Sequence, residues 1–402
     1  MPGLQTVALS VVAGRGARGE DAARCGWSHL LEHMVFKGAG ARSAREIVEA
    51  IEAEGGQINA ATGYERTSFQ VRALAHGLDL GSAVIADLVR RPTLDADDLR
   101  REKQVVAQEI AEAADTPDDL VFEIAQSAAF DGHALGRPIL GTQRTIGSAT
   151  PEALEAWRAA LYAPQTLVVS AAGAVDPGRL LALAERDFGG MAEGPAAPSE
   201  AAPDFSGGLR PRAKTLEQAN IVILLPAVGA THPDYFALRL LAEILGGGMA
   251  SRLFQEAREK RGLAYAIDAY AETYADVGVL GVFAGCAAAD AAELARVTAA
   301  EMLAMGQVSE AELLRAKAQL KAAMFMSRES ALARAEQAAA QVLLFGRTLD
   351  PEEIARAIDA VTPADLAGLT DRILGQGRAA VAVLGPKPAL PAGEAFHQAL
   401  FG

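Results

Sequence analysis

The two halves of the chain repeat one plan, and this limits its possible folds more than any other feature of the sequence. Leu94-Asp95-Ala96-Asp97-Asp98-Leu99-Arg100-Arg101-Glu102-Lys103 aligns without a gap on Val308-Ser309-Glu310-Ala311-Glu312-Leu313-Leu314-Arg315-Ala316-Lys317, and the strand-helix patterns preceding each segment come in the same order. Such self-similarity marks one supersecondary unit used twice. Strand and helix patterns are mixed within each copy, so the expected class is α+β: two duplicated domains of mixed, largely antiparallel sheet packed with helices. At 402 residues there is enough chain for two separate cores. Between the copies, from Gly189 to Pro211, composition shifts to Gly, Pro, Ala and Ser with little periodicity. The expected division is a first domain at 1–190, a linker at 191–213 and a second domain at 214–402.

In the first copy, Thr6 to Ala13 reads as a core strand, and a Gly/Arg loop leads to a helical segment beginning near Trp27. Ser43 and Glu46 are spaced as a capping box for a helix that Gly55-Gly56 stops. Strands follow at Gln57 to Thr62 and Arg66 to Leu74, then a helix from Leu78 to Val89 and a long acidic helix from Asp95 past Glu109, with Pro117 marking a break. Thr150-Pro151 begins another helix, and Thr166 to Ala172 is a strand. The second copy opens with a strand at Ala219 to Leu225 and a helix ending in Gly246-Gly247-Gly248, followed by a helix from Ser251 and two strands up to Cys286.

The copies differ in their chemistry. Trp27-Ser28-His29-Leu30-Leu31-Glu32-His33-Met34-Val35-Phe36 contains His-x-x-Glu-His, the inverted zinc-peptidase pattern. On a helix, His29 and His33 lie one turn apart on one face and can hold one metal ion. Glu32 lies beside that face, where a carboxylate can take a proton from water. A catalytic zinc site needs a third protein ligand. The repeat points to Glu102 and Glu109, which fall on Ala316 and Ala323 in the second copy. They are seven residues apart and face the same way on a helix. One can bind the metal while the other hydrogen-bonds a ligating histidine, and the spacing leaves open which does which. Glu112, Asp115, Asp118 and Asp119 beyond them read as a solvated acidic face.

With 51 acidic against 37 basic residues and a formal charge of -14, the chain is unsuited to nucleic acid and compatible with basic peptides. No apolar run is long enough to cross a bilayer, and the N-terminal apolar stretch alternates like a strand without a basic leader, so a cytoplasmic protein with no membrane partner is expected. Cys25 and Cys286 form no disulfide framework. His76, His232 and His397 read as turn or terminal residues, and His133 as part of a loop. Gly246 to Gly248 lacks the Lys-Ser/Thr of a phosphate-binding loop and reads as a helix end.

Taken together, these motifs resemble the pitrilysin-like, insulinase-type zinc peptidases, in the branch similar to the mitochondrial processing peptidase and its bacterial relatives. Gly55-Gly56-Gln57-Ile58-Asn59-Ala60 resembles that family's substrate-binding edge strand, His133 to Thr142 its His-x-Leu-Gly-Arg-Pro-Ile-Leu-Gly-Thr loop, and Ser251 to Phe254 with Arg258 to Tyr265 its second-domain motif. The resemblance implies clamshell halves and one Zn2+ per chain held by His29, His33 and Glu109, with Glu102 supporting a ligand. It also implies Glu32 as general base, Arg258 and Tyr265 reaching the substrate, and Asn59 and Ala60 binding it by strand addition. Family members carry a further stretch, with an Asn-Gly turn, before the first strand. Its absence implies either a start upstream or a first sheet one edge strand short. The implied activity is endopeptidase cleavage of extended or unfolded peptides inside a closed chamber, in a homodimer. The alternatives are the metal-bearing subunit of a heterodimeric processing peptidase and a non-catalytic scaffold.

Overall fold

The computed structural model of the chain describes residues 1, 3–194 and 202–402. The first half runs β1 (Thr6–Ala13), α1 (Trp27–Val35), the short pair β2 (Gly38–Ala39) and β3 (Arg42–Ser43), α2 (Ala44–Ala53), β4 (Gln57–Thr62) and β5 (Thr67–Leu74). It continues with α3 (Leu78–Arg90), α4 (Ala96–Asp115), α5 (Pro117–Ala129), α6 (Gln143–Gly147), α7 (Pro151–Leu161), β6 (Leu167–Gly173) and α8 (Pro177–Phe188). The second half runs β7 (Gly208–Ala213), β8 (Ala219–Val228), α9 (Tyr235–Gly246), β9 (Ala264–Thr273), β10 (Val277–Cys286), α10 (Ala291–Ala304) and α11 (Glu310–Ser327). It ends with α12 (Ala331–Phe345), α13 (Pro351–Ala360), α14 (Pro363–Gly375), β11 (Ala380–Gly385) and α15 (Ala392–Phe401).

The repeat is visible in the sheets. The first has the order β4-β5-β1-β6, antiparallel throughout. The second has β7-β11-β8-β10-β9, in which β9-β10-β8-β11 reproduces that order and β7 is added parallel to β11 at the edge. The mixed α+β class with largely antiparallel sheet is therefore what the chain forms. Of the segment expected as a linker, 195–201 lies outside the described residues, and Gly208–Ala213 is strand β7.

Alternation along β1 explains how the first sheet is covered. Val7, Leu9 and Val11 enter a core with Leu30, Leu31, Met34 and Val35 of α1, Ile47 and Ile51 of α2, and Val84, Ile85 and Leu88 of α3. Yet Ala8, Ser10 and Val12, on the opposite face, are equally buried. Their cover is α12, from the second half of the chain, which packs on β1 and β6. Its inward residues Ala335 and Ala339 are small, so the helix can sit close to the sheet, and the Gln70 amide of β5 donates to Glu336.

The reciprocal exchange occurs at the second sheet. Helix α5, from the first half, packs on β11, β8 and β7. Phe122 stacks on Phe283 at 5.5 Å, and Gln126 Nε2 donates to the Tyr274 hydroxyl at 2.8 Å. The compact units are accordingly Met1–Glu112, Pro138–Glu200 and Phe325–Leu349 for one, and Ala113–Arg137, Ala201–Met324 and Asp350–Gly402 for the other. The contiguous halves read from the sequence are interleaved, because an amphipathic helix announces that it covers a sheet without announcing which one. No helix among the described residues is long and apolar enough to cross a membrane.

The exchange makes a prediction. Ala339→Leu overfills the fully buried contact beneath α12, and is expected to destabilise the unit containing α1 by about 1–3 kcal/mol. Ala318→Leu, at an exposed position of α11, is expected to stay within about 0.5 kcal/mol. Urea unfolding with proteolytic mapping measures both, and early cleavage within residues 27–112 of the Ala339 variant is the expected signature.

Candidate metal centre

Helix α1 is built to present two faces. Leu30, Leu31, Met34 and Val35 are fully buried, leaving His29, Glu32 and His33 on the opposite side, half-buried. The helix starts at Gly26, with φ 91°, where a Cβ would stand 2.6 Å from the Leu140 carbonyl oxygen. Only glycine fits this left-handed, crowded position. Since Gly26 has no side chain to cap the helix, the buried Glu20 carboxylate does so, accepting from the Gly26 N–H at 2.8 Å and the Ser28 N–H at 2.7 Å. Two indoles fix rotation: Trp27 Nε1 donates to the Thr145 carbonyl at 3.0 Å, and Trp157 Nε1 to Ser28 Oγ at 3.2 Å. The loop within the His133–Thr142 motif packs here, with Cys25 Sγ donating to the Pro138 carbonyl at 3.4 Å.

Helix α4 supplies both glutamates. Glu109 Oε2 lies 3.5 Å from His33 Nε2 and 3.9 Å from His29 Nε2, and the ligand atoms of the three residues fall within 4.8 Å of one another. Zinc bonds of about 2.0–2.2 Å in tetrahedral geometry need ligand atoms roughly 3.3–3.6 Å apart, so the 3.5 Å Glu109–His33 separation matches a filled site and the 3.9 Å Glu109–His29 separation is slightly wider. Glu109 Oε2 is buried with no hydrogen-bond donor, an arrangement that a cation would relieve. The donor set of two imidazoles and one carboxylate suits zinc. Burial, then the neighbouring His33, pushes the His29 imidazole down to about 4, so it is neutral and able to ligate.

Glu102 has a different position. It is buried, with Oε2 3.1 Å from His33 Nδ1 and Oε1 2.8 Å from Lys37 Nζ. A carboxylate on Nδ1 fixes the tautomer that leaves the Nε2 lone pair toward Glu109. Lys37 follows His33 by one helical turn, a spacing that the sequence displays but whose partner on α4 it does not. The Glu32 carboxyl accepts from Thr62 Oγ1 at 2.5 Å. Burial raises its pKa, against the lowering effect of the Thr62 hydrogen bond. Thr62, Lys37 and Glu20 were missed by sequence reasoning, since each acts on a residue distant in sequence or outside any motif.

The other expected site residues lie elsewhere. Asn59 is exposed on the edge strand β4, whereas the Ala60 side chain is buried in the core opposite Phe69, leaving only its backbone for a ligand. Arg258 and Tyr265 belong to the other unit. Arg258 is exposed on the helical turn Phe254–Lys260 with its guanidinium 4.7 Å from the Phe254 ring centroid, and Tyr265 on β9 is 53% exposed. His76 pairs with Glu54 at 2.9 Å and His232 with Asp234 at 3.7 Å. Among the described residues neither pair has a third ligand, and His29, His33 and Glu109 form the one group able to hold a metal. Both cysteines are buried and free.

Residues 2–143 match the family described as insulinase (peptidase family M16), and residues 148–320 match the peptidase M16 inactive domain. The chain belongs to this family. It is 34% identical over 388 residues to a protein of Rickettsia felis named as an uncharacterized zinc protease, covering 96% of this chain and 94% of that one. A Bacillus subtilis protein named as the uncharacterized zinc protease YmxG is 33% identical, covering 97% and 95%. In fold, the chain is similar to a crystal structure described as a protease from Helicobacter pylori, with a TM-score of 0.88 at 22% identity over 95% of both chains.

The geometry predicts graded effects on zinc affinity. Glu102→Gln is expected to weaken it by about 10- to 100-fold, and Lys37→Met by less, because each loosens His33 without removing a ligand. Glu109→Gln and His33→Ala are expected to lose tight binding. Competition with a chromogenic chelator measures all four, and a Glu109→Gln protein that holds zinc better than Glu102→Gln would reverse the two roles.

Proposed function

We propose that the chain is a zinc-dependent endopeptidase that cleaves extended or unfolded peptides, with one Zn2+ held by His29, His33 and Glu109. The observation that carries this reading is the convergence within 4.8 Å of His29 and His33, on the helix that also bears Glu32, with Glu109 from α4. When bound, zinc supplies Lewis acidity toward the scissile carbonyl and toward water. Glu32 takes the proton of the attacking water and delivers it to the leaving amine. Its raised pKa brings its basicity closer to neutral pH, which suits a group that must both accept and release that proton. Glu102 keeps His33 in its ligating tautomer.

The substrate adds as a strand to β4, an edge of the first sheet, through backbone groups at Asn59 and Ala60. Strand addition selects for extended chains more than for a particular sequence. Arg258 and Tyr265 are assigned to stabilise the oxyanion, in a closed chamber formed by a homodimer in which one chain completes the other's site. The family resemblance supports that assignment, as do the exposed positions of both side chains. Basic peptides are the preferred class, given the formal charge of -14 and the acids Glu112, Asp115, Asp118 and Asp119.

Glu32→Gln is expected to keep zinc and lose about 10²–10⁴-fold in kcat on a fluorogenic peptide, and full activity would overturn the mechanism. Mixing Glu32→Gln with an Arg258→Ala/Tyr265→Phe chain under subunit exchange is expected to restore activity. No recovery despite demonstrated exchange would reject completion between chains. Basic peptides are expected to be cleaved faster than acidic ones of equal length, by a margin that narrows as salt rises.

A further inference from the structure

Glu32 lies on α1, but its hydrogen bond comes from a strand. Thr62 is the last residue of β4, and its hydroxyl donates to Glu32 Oε2 at 2.5 Å. The strand end is itself fixed. Thr62 pairs in register with Thr67, which is fully buried and whose hydroxyl donates to the Arg15 carbonyl at 3.2 Å. Gly63 N–H donates to the Arg66 carbonyl at 2.7 Å and closes the turn directly after it. The Thr62 hydroxyl is therefore held from the sheet side, independently of α1. On the helix side, Glu32 has several rotatable bonds, and the side-chain hydrogen bond that its carboxyl accepts comes from Thr62, while its i−4 neighbour Ser28 accepts from Trp157.

We infer that Thr62 is a positioning residue for the base: its hydroxyl holds the Glu32 carboxylate in the orientation from which the other oxygen faces the attacking water, and it ties that orientation to the strand on which the peptide docks. The inference rests on the endopeptidase reading. Thr62 reaches the carboxyl through its hydroxyl, which donates to Oε2, and also through its backbone N–H, and Oε1 is assigned to the proton. Because Thr62 follows the docking residues Asn59 and Ala60 along the same strand, any shift of β4 displaces substrate and base together. Their relative geometry is thus preserved, as proton transfer requires. The residue contributes to the turnover step and is not one of the three residues able to hold the metal.

The test is a set of variants of the full chain loaded with zinc. Thr62→Val keeps the shape and the branched side chain favoured in a strand while removing the donor; Thr62→Ser keeps the donor. Thr62→Val is expected to lower kcat about tenfold or more with KM, zinc affinity and the unfolding midpoint little changed, since an unoriented base loses part of its contribution. Thr62→Ser is expected to restore most of that loss. Adding Thr62→Val to Glu32→Gln is expected to cost no more than about twofold, because a group acting through Glu32 has nothing left to act on. An unchanged kcat in Thr62→Val overturns the inference, as does a Ser variant as impaired as the Val variant, or a full additive loss in the double variant. Full activity of Glu32→Gln alone overturns the endopeptidase mechanism instead, so the two failures are distinguishable. If Thr62→Val is too unstable to purify, binding of zinc and of an uncleaved peptide by the Glu32→Gln and Glu32→Gln/Thr62→Ser chains is compared with Thr62→Ser turnover. A Ser variant that binds both normally but turns over tenfold slower also rejects the role assigned to the hydroxyl.

Discussion

Nine residues of α1 satisfy two opposed demands. One face fills the core with four side chains that water does not reach, while the other carries Glu32 and holds two imidazoles within a few ångströms of the Glu109 carboxylate. Packed apolar residues fix the helix in depth, but ridges in a core tolerate small rotations. Polar contacts remove that freedom. Glu20 holds the N-terminus, Trp27 and Trp157 hold the first turn, and Glu102 holds His33 near the C-terminus. Pre-organising ligands in this way matters because a metal site displaced by an ångström loses affinity and geometry together.

Strand β1, beneath α1, is buried on both faces, which makes the site depend on residues far away in sequence. Ser10 in β1 is fully buried on the side covered by α12, more than three hundred residues further along the chain. The same logic applies to the second sheet, whose cover α5 directly follows the helix bearing Glu102 and Glu109. Neither copy of the repeat can bury its sheet with its own residues alone. The duplication is therefore structural as well as historical: each copy lends the other a helix.

Local signals were legible and long-range ones were not. The capping box of Ser43 and Glu46 forms as its spacing indicates, and β1 and β4 have the limits that their alternation suggested. The strand expected at Ala219 to Leu225 continues as β8 through Pro226 to Val228. At Pro226 the strand is flanked by β10 alone, so a proline nitrogen turned to the other side has no ladder partner to lose. The helix expected from Ser251 is confined to Phe254–Lys260. At the metal centre, the i, i+4 histidines could be read directly, and the two glutamates emerged from comparing the copies. Which glutamate faces which histidine required the packing of α4, as did the contacts of Lys37 and Thr62, because nothing in a linear pattern encodes an encounter between a strand end and a helix face.

The repeat also separates the structural from the chemical roles of residues on one helix. Lys103 and Lys317 occupy equivalent positions. Lys103 Nζ donates to the carbonyls of Gly147 and Ala149, and Lys317 Nζ to those of Asp359 and Val361. Each thus satisfies two backbone oxygens just ahead of a Pro-initiated helix, α7 in one copy and α14 in the other. One position earlier, the copies diverge. Glu102 is buried with a histidine and a lysine to hold its two oxygens, while Ala316 is buried with no polar group to satisfy. A buried carboxylate without such partners is costly, so once the histidines are absent from the second copy the glutamate has no stable place there and a methyl group does. Lysine persists because backbone carbonyls must be satisfied in both copies. The glutamates occur only in the copy that carries the histidines, and there both lie against them.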